Sequence, residues 1–402
     1  MTTNVADDRL ARRNALLLGG AQAIGGATTA VNMTLGGLTG VYLLGEDPTL
    51  ATLPVTAMLV GTAMGAMPAA LLMARVGRRP GFMAGTLIGA LGGAVAWYGI
   101  MIASFWLFCG GCVMTGLAFA FVQQYRFAAA DTASDAFRPK AISWVLAGGV
   151  LAGVIGPQTV IFAKDLFEPV SFAGAYLAQS LLWLVSFVIL AFLRIPRTPM
   201  RPRAATDRSI RTILSQPRIV VAIVCGVISY SVMSLVMTAA PLAIVSCGFS
   251  TEEAALGIQW HVLAMFGPSF VTGSLIARFG APRITFAGLV LLLGAGAVAL
   301  AGIELAHFWI SLILLGLGWN FGFIGATSLL IEAQRPEEKA RLQAANDLLV
   351  FGFVALASLS SGAIFNHLGW EVVVWVAVPM VAAAALTLGW LALARRRHLK
   401  AA

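Results

Sequence analysis

Apolar residues run through this chain in long blocks separated by short polar connections. Twelve blocks are each long enough for a helix that crosses the hydrocarbon core of a bilayer, which takes about 20 residues. They cover 15–43, 50–74, 81–102, 104–125, 141–163, 171–193, 219–245, 253–277, 284–303, 308–331, 342–365 and 371–394. The pattern predicts an all-α membrane protein with twelve transmembrane helices, since only helices and closed barrels satisfy their backbone groups in lipid. The connection 194–218 is crowded with Arg194, Pro196, Arg197, Pro199, Arg201, Pro202 and Arg203. It divides the chain into an N-terminal half at 1–194, a basic linker at 195–217 and a C-terminal half at 218–402. The first block follows Arg12 and Arg13 and contains Ala21-Gln22-Ala23, which looks like a signal-peptide cleavage site. Its apolar run continues to Leu44, so a retained helix is expected.

Charge then orients the chain. If both termini and the even-numbered connections lie inside, all but one of the 26 Lys and Arg fall inside, Lys164 being the exception. The outer connections instead carry Glu46, Asp47, Asp165, Glu168, Glu252, Glu253, Glu304 and Glu371. Lys and Arg are enriched in cytoplasmic loops, so both termini are expected in the cytoplasm. A wrong span count would scramble this sorting.

Composition narrows the class further. Hydrophobic residues make up 59% of the 402 and charged residues 11%, with a mean hydropathy of +0.89. A soluble fold could not cover so apolar a surface, and disorder requires the opposite balance. Four Cys are too few for a secreted disulfide scaffold. The net charge of +9 comes from residues between apolar runs and sets topology, so no nucleic-acid partner is expected.

Short matches recur at an offset of 203 residues. Arg75-Val76-Gly77 pairs with Arg278-Phe279-Gly280, Ala84-Gly85 with Ala287-Gly288, and Phe105-Trp106 with Phe308-Trp309. A duplicated six-span unit, with two parallel copies about an axis normal to the membrane, is the expected origin.

With these features the chain resembles the major facilitator superfamily along essentially its whole length. The family's turn signature reads roughly Gly-x-Leu-x-Asp-Arg-x-Gly-Arg-Arg. Here the copies are Leu72-Met73-Ala74-Arg75-Val76-Gly77-Arg78-Arg79 and Gly273-Ser274-Leu275-Ile276-Ala277-Arg278-Phe279-Gly280. Ala74 and Ala277 replace the usual Asp, so an acid–base latch within the turn is absent or made differently. Gly149-x-x-x-Gly153-x-x-Gly156-Pro157 resembles part of an antiporter signature, but Val160 and Ile161 stand where further glycines would complete it. Gly116 is present in span 4, with Cys112 where proton-coupled exporters often have Arg.

Ionisable groups are costly in hydrocarbon and mark functional sites. His261, after Gln259 and Trp260, lies about 12 Å deep in span 8 at 1.5 Å per residue and is a candidate for proton coupling or a switched hydrogen bond. Asp347, after Asn346, sits near the inner end of span 11 and is a coupling carboxylate or a gate partner of Arg341. Arg126, which closes span 4 after Gln123, Gln124 and Tyr125, and Asp131 are candidates for an inner gate, and Glu332 is similar. Arg75 and Arg278 belong to the two signature turns, near carboxylates or lipid phosphates.

Gln22, Thr29 and Asn32 share one face of span 1. The resemblance implies that spans 1, 4, 7 and 10 line a central cavity. Span 7 adds Tyr230, Ser234 and Met237 at i, i+4 and i+7, and span 10 adds Trp319 and Asn320. A lining of amides, hydroxyls and aromatic rings suits a neutral organic solute with a ring or apolar part. Each such residue also has a bland role holding helices together. Cys109-Gly110-Gly111-Cys112 has redox spacing without a second ligand pair, so helix packing is expected there.

The expectation is a secondary transporter of a small organic solute, not an enzyme, in the plasma or bacterial inner membrane. It would work by alternating access as a monomer among membrane lipids, with protons as the candidate coupling ion and no cofactor. Proton-coupled export is the main reading and uptake of a nutrient or vitamin the alternative. A redox protein using Cys109 and Cys112, or a channel, are the rivals. No Gly-x-x-x-x-Gly-Lys loop for ATP occurs.

Overall fold

The computed structural model describes residues 8–134, 137–195, 209–335 and 338–401; the side chains of 139, 339–341, 344 and 395–401 are outside the description. The linker residues Pro196, Arg197, Pro199, Arg201, Pro202, Arg203 and Arg208 lie outside it, as do the side chains of Arg341, Arg395, Arg396, Arg397 and Lys400. Among the described residues the chain is helical and carries no strand.

Among the described residues fifteen α-helices follow in order: α1 (Arg9–Leu44), α2 (Leu53–Val76), α3 (Arg78–Met101), α4 (Phe105–Val122), α5 (Tyr125–Asp131), α6 (Arg138–Ala163), α7 (Ala173–Ala191), α8 (Ile210–Leu214), α9 (Pro217–Ser246), α10 (Thr251–Phe266), α11 (Ser269–Phe279), α12 (Ala281–Ala301), α13 (Leu305–Ala333), α14 (Lys339–Leu368) and α15 (Trp370–Ala401). Each of the twelve predicted runs falls on one helix or on a broken pair. Among the described residues ten helices are long and apolar enough to cross a membrane, and α10 with α11 makes eleven. At 36 residues α1 is about 54 Å long. It stands outside that set because Gln22, Thr28, Thr29, Asn32 and Thr34 dilute its apolar sequence.

Two predicted runs are not single helices. The run 253–277 breaks between α10 and α11 with a bend of 41°, because Pro268 has no N–H to continue the ladder. The run 104–125 is interrupted by a two-residue turn after Val122, and Tyr125 and Arg126 open α5. Together α4 and α5 still make one apolar stretch, Phe105–Asp131, long enough to span, so Tyr125 and Arg126 remain in span 4.

Backbone contacts group the chain into two units. The first holds α1 to α7 and takes α10 as well, since Thr251–Phe266 cluster with it. In this unit α1 packs along α6 and α7, α3 along α4 and α7, and α10 against α6. Its core gathers Leu18, Phe82, Phe121, Tyr125, Trp183 and Leu190. The glycines of the antiporter-like segment explain part of the packing. A Cβ on Gly156 would press on the Ala27 carbonyl of α1 at 2.6 Å, and Gly149 and Gly153 seat Phe266 and Val262 of α10. Gly116 packs so closely on α2 that a Cβ would run into the Met58 carbonyl.

The second unit holds α8, α9 and α11 to α15. In it α9 packs against α13, α14 and α15, and α12 against α13. Hydroxyls tie α9 to α14: Ser361 Oγ donates to Leu235 O at 2.6 Å, and Thr238 Oγ1 to Ser358 Oγ at 3.3 Å.

The 203-residue offset reappears in the backbone. Gly77 (φ 98°) and Gly280 (φ 84°) make the turns before α3 and α12, and Gly45 (φ 64°) and Gly248 (φ 91°) lie at the same offset. All four need the left-handed region that favours glycine.

Candidate functional site

The buried amides of the first unit converge. Asn32 Nδ2 donates to Gln179 Oε1 of α7 at 3.1 Å and to Thr28 O at 3.1 Å. Gln179 Nε2 donates to Thr115 Oγ1 of α4 at 3.2 Å, and Cys112 Sγ donates to Asn32 Oδ1 at 3.4 Å. All five residues are buried. The side chain of Asn32 thus braces α1, α4 and α7. Gln179 escaped the sequence reading because it is a lone amide in an apolar run. Cys109 and Cys112 are free thiols, and the Cys112 thiol acts as a hydrogen-bond donor in packing.

The other predicted residues of α1 differ from Asn32. Gln22 is half-buried. Thr29 Oγ1 is sealed from solvent with no hydrogen-bond partner among the described residues. Tyr125 is fully buried, its ring edge-on to Phe82 at 4.8 Å between centroids.

On α10, Gln259 Oε1 accepts from Gln158 Nε2 of α6 at 3.0 Å. His261 is fully buried, whereas Trp260 is 42% exposed. Nearer the start of α10, Glu252 Oε1 lies 2.9 Å from Lys164 Nζ, and Asp165 pairs with the same ammonium. Burial pulls the Lys164 pKa down, but the hydrogen bonds and charges of Asp165 and Glu252 outweigh it and leave the pKa raised.

Asp131 does not join Arg126. It accepts from Arg78 Nε at 3.1 Å, so this signature-turn arginine finds its carboxylate at the end of α5 in place of the one lost at Ala74. Arg126 lies over the Phe127 ring at 4.9 Å, and Arg278 over Phe279 at 5.2 Å. Arg75 borders a groove of about 450 Å³ lined otherwise by Gly65, Pro68, Leu71, Leu72, Ile88, Leu117 and Phe121.

In the second unit the aromatic residues converge. Tyr230 of α9 meets Trp319 at 5.4 Å, Phe323 at 5.1 Å and Phe351 of α14 at 6.1 Å, each edge-on. Trp319 and Phe323, one turn apart on α13, stack at 5.3 Å and 15°. Trp319 is buried at the base, while Tyr230, Phe323 and Phe351 keep partial exposure. Phe323 and Phe351 were missed because phenylalanine in an apolar run carries no separate signal. Ser234 Oγ turns to Val354 O at 3.5 Å.

Asn320 points elsewhere. Its Nδ2 donates to Ser269 Oγ at 2.7 Å, and its Oδ1 accepts from Thr272 Oγ1 at 2.6 Å. Both partners lie in the first turn of α11, so Asn320 braces the helix just after the Pro268 break. Asp347 on α14 is exposed and accepts from Asn346 Nδ2 at 3.3 Å. Among the described residues no group of three or more His, Cys, Asp or Glu could hold a metal ion.

Known proteins agree with this architecture. The model of the Major Facilitator Superfamily matches residues 15–355. The riboflavin transporter RfnT of Brucella anthropi is 46% identical over 380 residues, covering 94% of this chain and 95% of the relative. The MFS-type transporter YdeG of Bacillus subtilis is 30% identical over 376 residues, covering 88% and 85%. Two solved structures share the fold. The nucleoside transporter NupG has a TM-score of 0.73 at 14% identity, covering 94% of this chain and 99% of its own. The transporter PepTSo has a TM-score of 0.72 at 13% identity, covering 97% and 98%. This chain is a multi-pass membrane transporter, not an enzyme, and it belongs to the Major Facilitator Superfamily.

Proposed function

We propose that this transporter takes up riboflavin or a closely related flavin. The observation that carries the reading is the 46% identity to a riboflavin transporter, shared over 94% of this chain. The aromatic cluster of Tyr230, Trp319, Phe323 and Phe351 supports it, since ring faces suit a neutral solute with a planar ring. This favours the nutrient alternative over export. Gly149, Gly153 and Gly156, which suggested an antiporter, have a packing duty against α1 and α10 and need no export role.

The carrier has twelve spans, with α1 as the first, in halves at 1–194 and 218–402 joined by the linker 195–217. Both termini face the cytoplasm across the inner membrane. It works as a monomer by alternating access, opening its solute site to one side of the membrane at a time. His261 and Asp347 are the proton-coupling candidates. Gln22 and Thr29 remain the span-1 candidates for meeting solute, and Gln259 and Trp260 stand beside His261. Arg75, Arg126 and Arg278 hold the inner helix ends.

The test is growth of a riboflavin-requiring bacterium that lacks its own uptake system. Expression of this chain should restore growth at low external riboflavin. Failure to restore it, with the protein present in the membrane, overturns the reading.

A further inference from the structure

We infer that Tyr230, Trp319, Phe323 and Phe351 form the subsite for the flavin ring and that this subsite selects unphosphorylated flavins. The inference rests on the flavin-uptake reading and adds which part of the solute is read, and by what.

Four rings from three helices converge within about 6 Å of Tyr230. A core built only for packing would seal them. Here Trp319 is buried, while Tyr230, Phe323 and Phe351 are only partly buried. A flat tricyclic ring extends such a cluster by offset or edge-on contact at ordinary centroid separations of about 4.5–7 Å. The ring system of a flavin is planar, uncharged near neutral pH and electron-poor, and it stacks well on the electron-rich faces of Trp and Tyr.

Charge sets the second half of the inference. No Lys or Arg occurs in α9 after Arg218, in α13, or in α14 after Arg341. The nearest ionisable residue along α14 is Asp347, one turn before Phe351 and on the same side of the helix. A phosphorylated flavin would bring a charge of about −1.5 to −2 toward rings whose helices carry no Lys or Arg between Arg218 and the end of α9, in α13, or in α14 after Arg341. Stripping water from that phosphate where these helix segments supply no cation is unfavourable. Riboflavin carries no such charge.

The experiment uses the full-length protein in proteoliposomes that take up riboflavin. Competitors are lumiflavin, which has the ring without the ribityl chain, ribitol, and riboflavin 5′-phosphate. Lumiflavin should compete within about tenfold of riboflavin, the range of one stacking contact, ribitol should not compete, and the phosphate should be weaker by about tenfold or more, because burying a charge without a paired cation is costly. Trp319→Leu and Tyr230→Leu should each raise KM by about tenfold, and Trp319→Phe should recover most of that loss. If the Leu variants do not fold, emission of bound riboflavin carries the test. Indole quenches a stacked flavin, so emission should rise in Trp319→Phe. Unchanged KM in both Leu variants, unchanged emission in Trp319→Phe, or competition by ribitol equal to lumiflavin would overturn the ring subsite. Equal competition by the phosphate would overturn the selection. A wild-type protein that moves no flavin would instead defeat the uptake reading, a result distinct from all of these.

Discussion

Lys164 Nζ lies 2.9 Å from Glu252 Oε1 and ties the end of α6 to the first turn of α10. Lys164 is the one basic residue that the charge pattern assigns to the outer side, and the clasp gives this exception a reason. The same two helices are joined deeper by Gln158 and Gln259 at 3.0 Å. Because the folded-state pKa of Lys164 is raised, its contribution is present at neutral pH and fades as pH climbs through that raised value, above about 10.4. Lys164→Gln should destabilise the detergent-solubilised protein by about 1 kcal/mol or less at pH 7. The gap from wild type in thermal unfolding should close as pH rises through that raised value; a gap that stays constant with pH would show that the charge is irrelevant.

Arg78 and Asp131 form the acid–base contact that the signature turn lacks at Ala74. Arg78→Asp or Asp131→Arg alone should lower transport several-fold, and the double exchange should regain much of it. Additive losses in the two single variants and the double variant would argue against a functional pair.

Gln179 connects Asn32 on α1 with Thr115 on α4. Gln179→Leu leaves two buried polar side chains short of a partner, and about 1–3 kcal/mol of stability should be lost. Gln179→Glu tests polarity separately, since a buried carboxylate should be worse still. A Leu variant that melts with wild type would remove the network from the account of stability.

His261 is fully buried on α10, a position where a change of charge has large consequences. If it couples protons, His261→Gln should flatten the pH dependence of net uptake yet leave exchange of solute across the membrane intact. A variant with the wild-type pH profile would remove His261 from coupling.

The helices were legible in the sequence because lipid demands long apolar runs, and all twelve runs fall on helices. The breaks were less visible. Pro268 interrupts its span, while Pro157, Pro241 and Pro379 sit inside continuous helices, so proline alone does not announce a break. Charge located Arg78 and Asp131 but not their pairing, because the partner is 53 residues away. Polar residues were easy to find and hard to sort. Asn32 and Asn320 looked like cavity residues, yet their amide groups are committed to Gln179, Thr28 and Cys112 in one case and to Ser269 and Thr272 in the other. Which face of a helix an amide occupies is readable from spacing; whether a neighbouring helix has already satisfied it is not. Tyr230 and Trp319 carried a signal because they are rare amid aliphatics, and the phenylalanines that complete their cluster did not.

The central claim is flavin transport, and counterflow tests it most directly. Proteoliposomes preloaded with unlabelled riboflavin should accumulate external labelled riboflavin transiently, above the level in vesicles without protein and with saturable dependence on concentration. Label that enters no faster than into protein-free vesicles, from a preparation shown to be folded, would contradict the account.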